Sequence, residues 1–169
     1  MALFAPTVYK NRITDITAEE LDAWGVRGLL LDVDNTLTAH DSQELSEAVR
    51  TWLSARRAEG RLLTVVSNNK APRVAPFAAR IGLPFTPSAA KPLPRGFWRA
   101  AKSLGLSKKE CLVIGDQIFT DILGANLSGI RSVPLMPIEP ERDQPFIQFK
   151  RRLERPLVAH YLRKRGITL

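Results

Sequence analysis

An α/β fold with a parallel sheet flanked by helices is predicted on three observations. Strand-like runs recur between turn signals at Gly28–Val33, Leu62–Val66, Leu83–Thr86, Cys111–Ile114 and Arg131–Leu135. Helix-like stretches separate them, so β and α alternate along the chain. The longer runs are apolar throughout rather than alternating, as expected of strands covered on both faces. At 169 residues, 44% hydrophobic and 25% charged, the chain is of single-domain size and close to globular averages. Disordered, collagen-like and low-complexity classes are excluded.

The elements follow in order. Thr17-Ala-Glu-Glu20 is a capping box opening a short helix that ends near Gly25. After the first strand, Asp41 to about Ala58 reads as a helix with Leu45, Val49, Trp52 and Leu53 on one stripe. Pro72 suits the first turn of a helix running to about Ile81, with Gly82 beyond its end. Pro94 starts another, ending near Gly105, and Ser107-Lys-Lys-Glu110 is a second capping box. A helix from about Phe119 to Leu127 follows the long strand that begins at Cys111. Pro134–Pro145, with four prolines, reads as a linker. Beyond it Phe149, Leu153, Leu157 and Tyr161 recur at helical spacing, with Pro156 expected to kink or split the helix. The expected organisation is an α/β domain over 1–145 and a basic, amphipathic helical tail over 146–169.

Lys and Arg exceed Asp and Glu by eight, and the excess is local. Lys150, Arg151, Arg152, Arg155, Arg163, Lys164 and Arg165 face one acid, Glu154, within the tail. Such a tail suits peripheral contact with an anionic membrane or, alternatively, nucleic acid. The single cysteine, Cys111, excludes a disulfide framework and fits an inert buried thiol in a reducing compartment. No apolar run approaches the length of a spanning helix, and the expected location is cytoplasmic, with peripheral contact at the inner face of the membrane.

Ligands of parallel sheets bind beyond the carboxyl ends of the strands. There the sequence places Asp32, Asp34, Asn35 and Thr36; then Ser67, Asn68 and Asn69; then Lys91; then Gly115, Asp116, Gln117 and Asp121. Gathered carboxylates need a cation, and hard oxygen ligands suit Mg²⁺. Asp32 and Asp34, two apart, fall on one side of an extended segment, which suits a nucleophile and a proton donor acting on one phosphorus. A carboxylate approaching a phosphate dianion requires a metal and a nearby Lys to offset the repulsion. The Ser67 hydroxyl can hold a phosphoryl oxygen. Thr36, Asn68 and Lys91 are the further phosphate-binding candidates. Thr36 equally suits capping a turn, and Asn35, Asn68, Asn69 and Gln117 equally suit forming one. His40 reads as a solvated flap residue; Trp24, Trp52 and Trp98 read as packing residues.

Asp32-Val-Asp-Asn-Thr36 resembles the D-x-D-x-T motif of haloacid dehalogenase-like (HAD) phosphatases. Ser67, Lys91-Pro92 and Gly115-Asp-Gln-Ile-Phe-Thr-Asp121 resemble the second, third and fourth motifs, in order and on the expected elements. From about Thr7 to Arg155 the chain is similar to the YqeG family of HAD subfamily IIIA, relatives of phosphatidylglycerophosphate phosphatases, including at Phe149-Lys-Arg-Arg-Leu-Glu-Arg155. The resemblance implies a Rossmann-like core. It implies Asp32 as nucleophile and Mg²⁺ ligand, and Asp34 as general acid and base that also lends the metal its backbone carbonyl. It further implies Asp116 as a metal ligand, Asp121 as a supporting group, and Ser67 and Lys91 at the phosphoryl group. It does not extend to Leu157–Leu169.

Leu37–Val66 and Asn68–Ala90 are consumed by a flap, helices and a strand, which leaves no room for a cap domain, so the site is expected to be open to a large substrate or a lipid headgroup. The leading expectation is a Mg²⁺-dependent phosphomonoesterase acting through an aspartyl-phosphate, with phosphatidylglycerophosphate as its substrate. The alternative is a nucleic-acid or ribosome adaptor with weak phosphatase activity, resting on the basic tail alone. Dehalogenation gives Asp34 nothing to protonate, and a signalling receiver has no counterpart of Ser67 in this order.

Overall fold

The computed structural model describes residues 3–39, 42 and 44–164. His40, Asp41 and Arg165, singled out in the sequence, lie outside them. Strands β1 (Gly28–Leu31), β2 (Leu62–Val66), β3 (Phe85–Thr86), β4 (Cys111–Gly115) and β5 (Arg131–Pro134) form one sheet in the order β3-β2-β1-β4-β5. Every pairing is parallel. The register aligns Leu31 with both Val65 and Ile114, so β1, β2 and β4 run out at the same level and their following residues meet. That alignment creates the rim on which the site is built.

Side-chain alternation along the strands feeds two cores. Leu29, Leu31, Leu63, Val65, Leu112 and Ile114 pack on one face against α2 (Glu47–Ala58) and α3 (Ala71–Arg80) through Val49, Trp52, Leu53, Val74 and Phe77. Leu30, Val66 and Val113 pack on the other against α4 (Pro94–Ser103) and α5 (Leu123–Ser128) through Phe97, Ala100, Ala101 and Ala125. The Thr17–Glu20 capping box forms as expected and starts α1 (Ala18–Ala23). Cys111 is a buried free thiol. Among the described residues no cap domain interrupts the core.

Several boundaries differ from expectation for identifiable reasons. Helix α2 starts at Glu47 rather than near Asp41, because Ser46 is the residue whose hydroxyl accepts from the Val49 N–H. β3 is confined to two residues, preceded by Pro84, which has no N–H to give a ladder. The single helix expected from Phe119 is a π turn, Ile118–Ile122, followed by the short α5. The expected linker is not free: Asn35 accepts from the Ile138 and Glu139 N–H groups through its carbonyl and its side chain.

Over its described residues the tail is one uninterrupted helix, α6 (Pro145–Lys164), which Pro156 does not split. Pro156 faces solvent, where water can satisfy the carbonyl one turn earlier that its missing N–H leaves unpaired. The expected apolar stripe divides. Phe146, Phe149 and Leu153 point outward and are 70%, 56% and 50% exposed, whereas Leu157 and Tyr161 are half-buried; Arg151, Glu154 and Leu162, outside the stripe, turn inward. The amino-terminal segment runs along β5: the Thr7 and Lys10 N–H groups donate to the Ser132 and Pro134 carbonyls, and Met136 N–H donates to the Lys10 carbonyl.

Gly96, on the first turn of α4, lies against the segment that leads into Lys91. A Cβ there would fall 2.2 Å from the Ala89 carbonyl oxygen, a contact with backbone that no rotamer change relieves. Gly96→Ala is therefore expected to destabilise the protein by about 1–3 kcal/mol, measured by denaturant unfolding, and to weaken any function of Lys91 in proportion.

Candidate active site

Four strand ends supply the site. Asp32 follows β1, and its carboxylate accepts from the Lys91 ammonium, which also donates to Asp121 Oδ1 at 2.7 Å. Lys91 is held from below by Asn68, whose Oδ1 accepts from the Lys91 N–H at 2.7 Å and whose Nδ2 donates to the Lys91 carbonyl at 3.2 Å. Both ends of the Asn68 amide, expected at the phosphate, are thus occupied by the backbone of Lys91. The π turn brings Asp121 back over β4, where Gln117 N–H donates to its Oδ2 at 3.2 Å. Gly115 makes this approach possible, since a Cβ there would lie 2.4 Å from the Asp121 carboxyl carbon.

Asp116 is buried beneath this cluster. Its Oδ1 lies 3.4 Å from the Thr36 hydroxyl, which is also 3.5 Å from Asp32 Oδ2. Thr36 therefore sits between the two carboxylates. Asp116 Oδ2 accepts from the guanidinium of Arg151, whose Nε donates to Asp143. Asp143 in turn accepts from Asn35 Nδ2 at 2.7 Å. Asp34 and Ser67 stand slightly apart, on a small polar recess shared with Ser42, Asn69 and Arg73. Asn69 Nδ2 donates to Asp34 at 3.2 Å, and Arg73 lies 3.8 Å from its other oxygen. The Ser67 hydroxyl accepts from the Asn69 N–H at 3.1 Å, which directs its own proton elsewhere.

Oxygens of Asp32, Asp116 and Asp121 all lie within 4.8 Å of one another. Burial pushes the Asp32 carboxyl well above the usual carboxylate range, with Lys91 opposing and Asp121 and Asp116 adding to the rise. Burial likewise lifts Asp116 to about 6, against Arg151. Burial disfavours the Lys91 ammonium, yet Asp121 and Asp32 outweigh it and hold its proton more tightly than in water. These are the electrostatics of a cation-poor cluster, which a divalent ion would reverse. The donor set fits Mg²⁺: hard oxygens, of which Asp32 Oδ2 and Asp116 Oδ1 share only the one Thr36 hydroxyl at 3.5 and 3.4 Å, whereas both oxygens of Asp121 accept shorter bonds.

The sequence singles out Asp32, Asp34, Thr36, Ser67, Asn68, Lys91, Asp116 and Asp121, and the fold gathers all eight at one rim. It does not single out Arg151, Asp143, Glu154 or Arg73. A signal for two of these existed. Arg151 and Glu154 share a helical face with Val158 and Leu162, opposite Phe146, Phe149 and Leu153. Asp143 lies in a stretch whose prolines read as loop, and nothing in its spacing marks it.

A family model described as HAD-hydrolase-like matches residues 88–135. The chain is 35% identical over 161 residues to the "Probable phosphatase YqeG" of Bacillus subtilis (strain 168), covering 95% of this chain and 93% of that protein. It is 29% identical over 169 residues to "Phosphatidylglycerophosphate phosphatase 1, chloroplastic/mitochondrial" of Arabidopsis thaliana, covering 94% of this chain and 48% of that one. The chain thus spans about half the length of the plant protein. Among solved structures, a 4-nitrophenylphosphatase from Thermotoga maritima aligns with a TM-score of 0.59 at 10% identity, over 73% of this chain and 89% of that chain, a likeness of fold.

Glu154 gives the site's surroundings a pH signature. Burial raises its carboxyl from 4.5 to about 7, opposed by the hydrogen bond from the Phe119 N–H and by Arg151. Between those values the folded state binds more protons than the unfolded one, so this contribution to stability is complete below 4.5 and is lost as pH rises through 7. Glu154→Gln keeps an acceptor for Phe119 without the charge. Its thermal unfolding midpoint should match wild type at low pH and exceed it above neutrality; curves that stay parallel throughout would remove the assignment.

Proposed function

The chain belongs to the YqeG family of HAD-type phosphatases, and from that premise we propose that it is a Mg²⁺-dependent phosphomonoester hydrolase acting through an aspartyl-phosphate on Asp32. The observation that carries the reading is the Lys91 ammonium buried between Asp32 and Asp121, with Asp116 beneath and Asp34 beside the cluster. In the first step a carboxylate oxygen of Asp32 forms a bond to phosphorus while the bond to the ester oxygen breaks. Asp34, on the more open side, donates the proton that the departing alkoxide requires. In the second step Asp34 takes a proton from water, whose oxygen attacks the aspartyl-phosphate; the bond to Asp32 breaks, and inorganic phosphate leaves. Lys91 remains an ammonium throughout and offsets the charge of the phosphoryl oxygens. Ser67 donates its hydroxyl proton to one of them. Asp32 and Asp116, with the Asp34 carbonyl, would hold Mg²⁺, which when bound supplies further positive charge at the phosphoryl group.

A lipid phosphomonoester, with phosphatidylglycerophosphate as the leading candidate, is the substrate this reading favours. Its support is the likeness to the plant enzyme of that name, the absence of a cap among the described residues, and the outer face of α6. No helix among the described residues is long and apolar enough to cross a membrane. Phe146, Phe149 and Leu153 instead form an exposed apolar patch, with Arg152 and Arg155 exposed around it, the composition of a helix resting on an anionic surface.

Asp32→Asn should abolish turnover while leaving the unfolding transition intact, and Asp34→Asn should lower turnover by about 10²- to 10⁴-fold, least for esters with good leaving groups. Chelator should abolish activity and Mg²⁺ restore it, with Ca²⁺ antagonising. Wild-type turnover by Asp32→Asn would sink the covalent mechanism. For the substrate, joint replacement of Phe146, Phe149 and Leu153 by Ser should leave hydrolysis of a soluble phosphomonoester unchanged. The same variant should lose co-sedimentation with anionic vesicles and turnover of a vesicle-borne lipid phosphate. If the wild-type chain ignores such vesicles at low salt yet binds RNA, the adaptor reading replaces the lipid one.

A further inference from the structure

Helix α6 contributes to the site a group to which neither the four phosphatase motifs nor the mechanism above gives a role. Arg151 reaches from the inner face of α6 to Asp116 through one terminal nitrogen and to Asp143 through Nε. The side chains of Asp116 and Asp143 are 0% and 1% exposed, and that of Arg151 is 13% exposed. Two buried carboxylates thus share one guanidinium. Asp143 is satisfied on its other oxygen by Asn35, a residue of the Asp32–Thr36 loop held at φ +58. The result is a continuous chain, Asn35–Asp143–Arg151–Asp116, that leaves the loop carrying Asp32 and Asp34, passes through the carboxy-terminal helix, and returns to the end of β4.

We infer that Arg151 is a positioning residue that fixes the Asp116 carboxylate for cation binding, making α6 a structural part of the metal site. This rests on the proposed function for the identity of the cation. The argument is geometric. A carboxylate at the end of a strand can rotate about its terminal bond. Arg151 engages Oδ2 and thereby leaves Oδ1 facing Thr36 and Asp32, the direction in which the acidic cluster converges. The planar guanidinium donates in fixed directions, so its bond to Asp143 determines where the second bond falls. Lysine, a point charge on a flexible stem, can neutralise Asp116 without setting its rotation. The guanidinium also repels an incoming cation. Net attraction survives that repulsion, because the four carboxylates of Asp32, Asp116, Asp121 and Asp143 face only the two cations Lys91 and Arg151. Groups that hydrogen-bond metal ligands typically contribute 10- to 100-fold to metal affinity.

The test is Mg²⁺ binding to the full chain by titration calorimetry, with no substrate present. Arg151→Gln should raise the Mg²⁺ dissociation constant by about 10- to 100-fold, Arg151→Lys should fall between, and Asp143→Asn should shift it in the same direction by less. Leu162→Ala supplies the structural control: it loosens α6 at a buried apolar contact remote from Asp116, so the unfolding midpoint should drop with the Mg²⁺ constant unchanged. Turnover of Arg151→Gln should recover as Mg²⁺ is raised, a shift in activation constant greater than the loss at saturation. Unchanged or tighter Mg²⁺ binding by Arg151→Gln, or equal weakening by Leu162→Ala, overturns the positioning role and leaves the phosphatase reading standing. A wild-type chain that binds no Mg²⁺ overturns this inference and the metal requirement together, while the Asp32→Asn result independently decides the covalent step.

Discussion

The buried ammonium of Lys91 is the contact on which the rest of the site depends. It donates to Asp32 and Asp121 at once, and its backbone is gripped on both polar groups by Asn68. Three strand ends are therefore tied together by one residue: β1 through Asp32 and β4 through Asp121 at its side chain, and β2 through Asn68 at its backbone. Burying charge is costly unless it is paired and hydrogen-bonded. Here the pairing lies at the centre of the rim rather than at its edge. Loss of the ammonium would leave two buried carboxylates without their shared cation, whereas loss of the Asp32 charge leaves Lys91 paired with Asp121.

The sheet makes that pairing possible by bringing three chain segments to one level. Parallel strands end together only if their register is fixed, and the double apolar covering of β1, β2 and β4 fixes it, since a slip of one residue would exchange the two cores. Beyond the last paired residues the chain turns immediately polar. Order in the core is thus converted into position at the rim, with the π turn supplying one local adjustment: its extra residue swings Asp121 back onto Gly115.

Most of this architecture was legible in the sequence. The five strands, the Thr17 capping box and the convergence of Asp32, Ser67, Lys91 and Asp116 follow from hydrophobic runs, turn residues and the rule for parallel sheets. What was not legible is long-range. The start of α2 depends on which of several hydroxyls caps it, and Ser46 does. Asn68 carries no spacing signal that distinguishes holding Lys91 from touching phosphate. The inner face of α6 is the largest gap. Apolar periodicity marks the stripe of Phe146, Phe149 and Leu153, which is exposed, but nothing in it marks the opposite face, where Arg151 pairs with the buried acids Asp116 and Asp143.

The amino-terminal segment running along β5 has a consequence for association. A parallel sheet has two edges, each a row of unpaired N–H and carbonyl groups on which a strand from another molecule can add. On one side residues 7–10 occupy that row from within the same chain. On the other, β3 offers two residues between Pro84 and Pro87, too short a template for a stable pairing. Both edges of the sheet thus offer little unpaired strand backbone to another copy. That leaves the outer face of α6, with Phe146, Phe149 and Leu153 exposed, as a larger apolar surface than either edge strand presents.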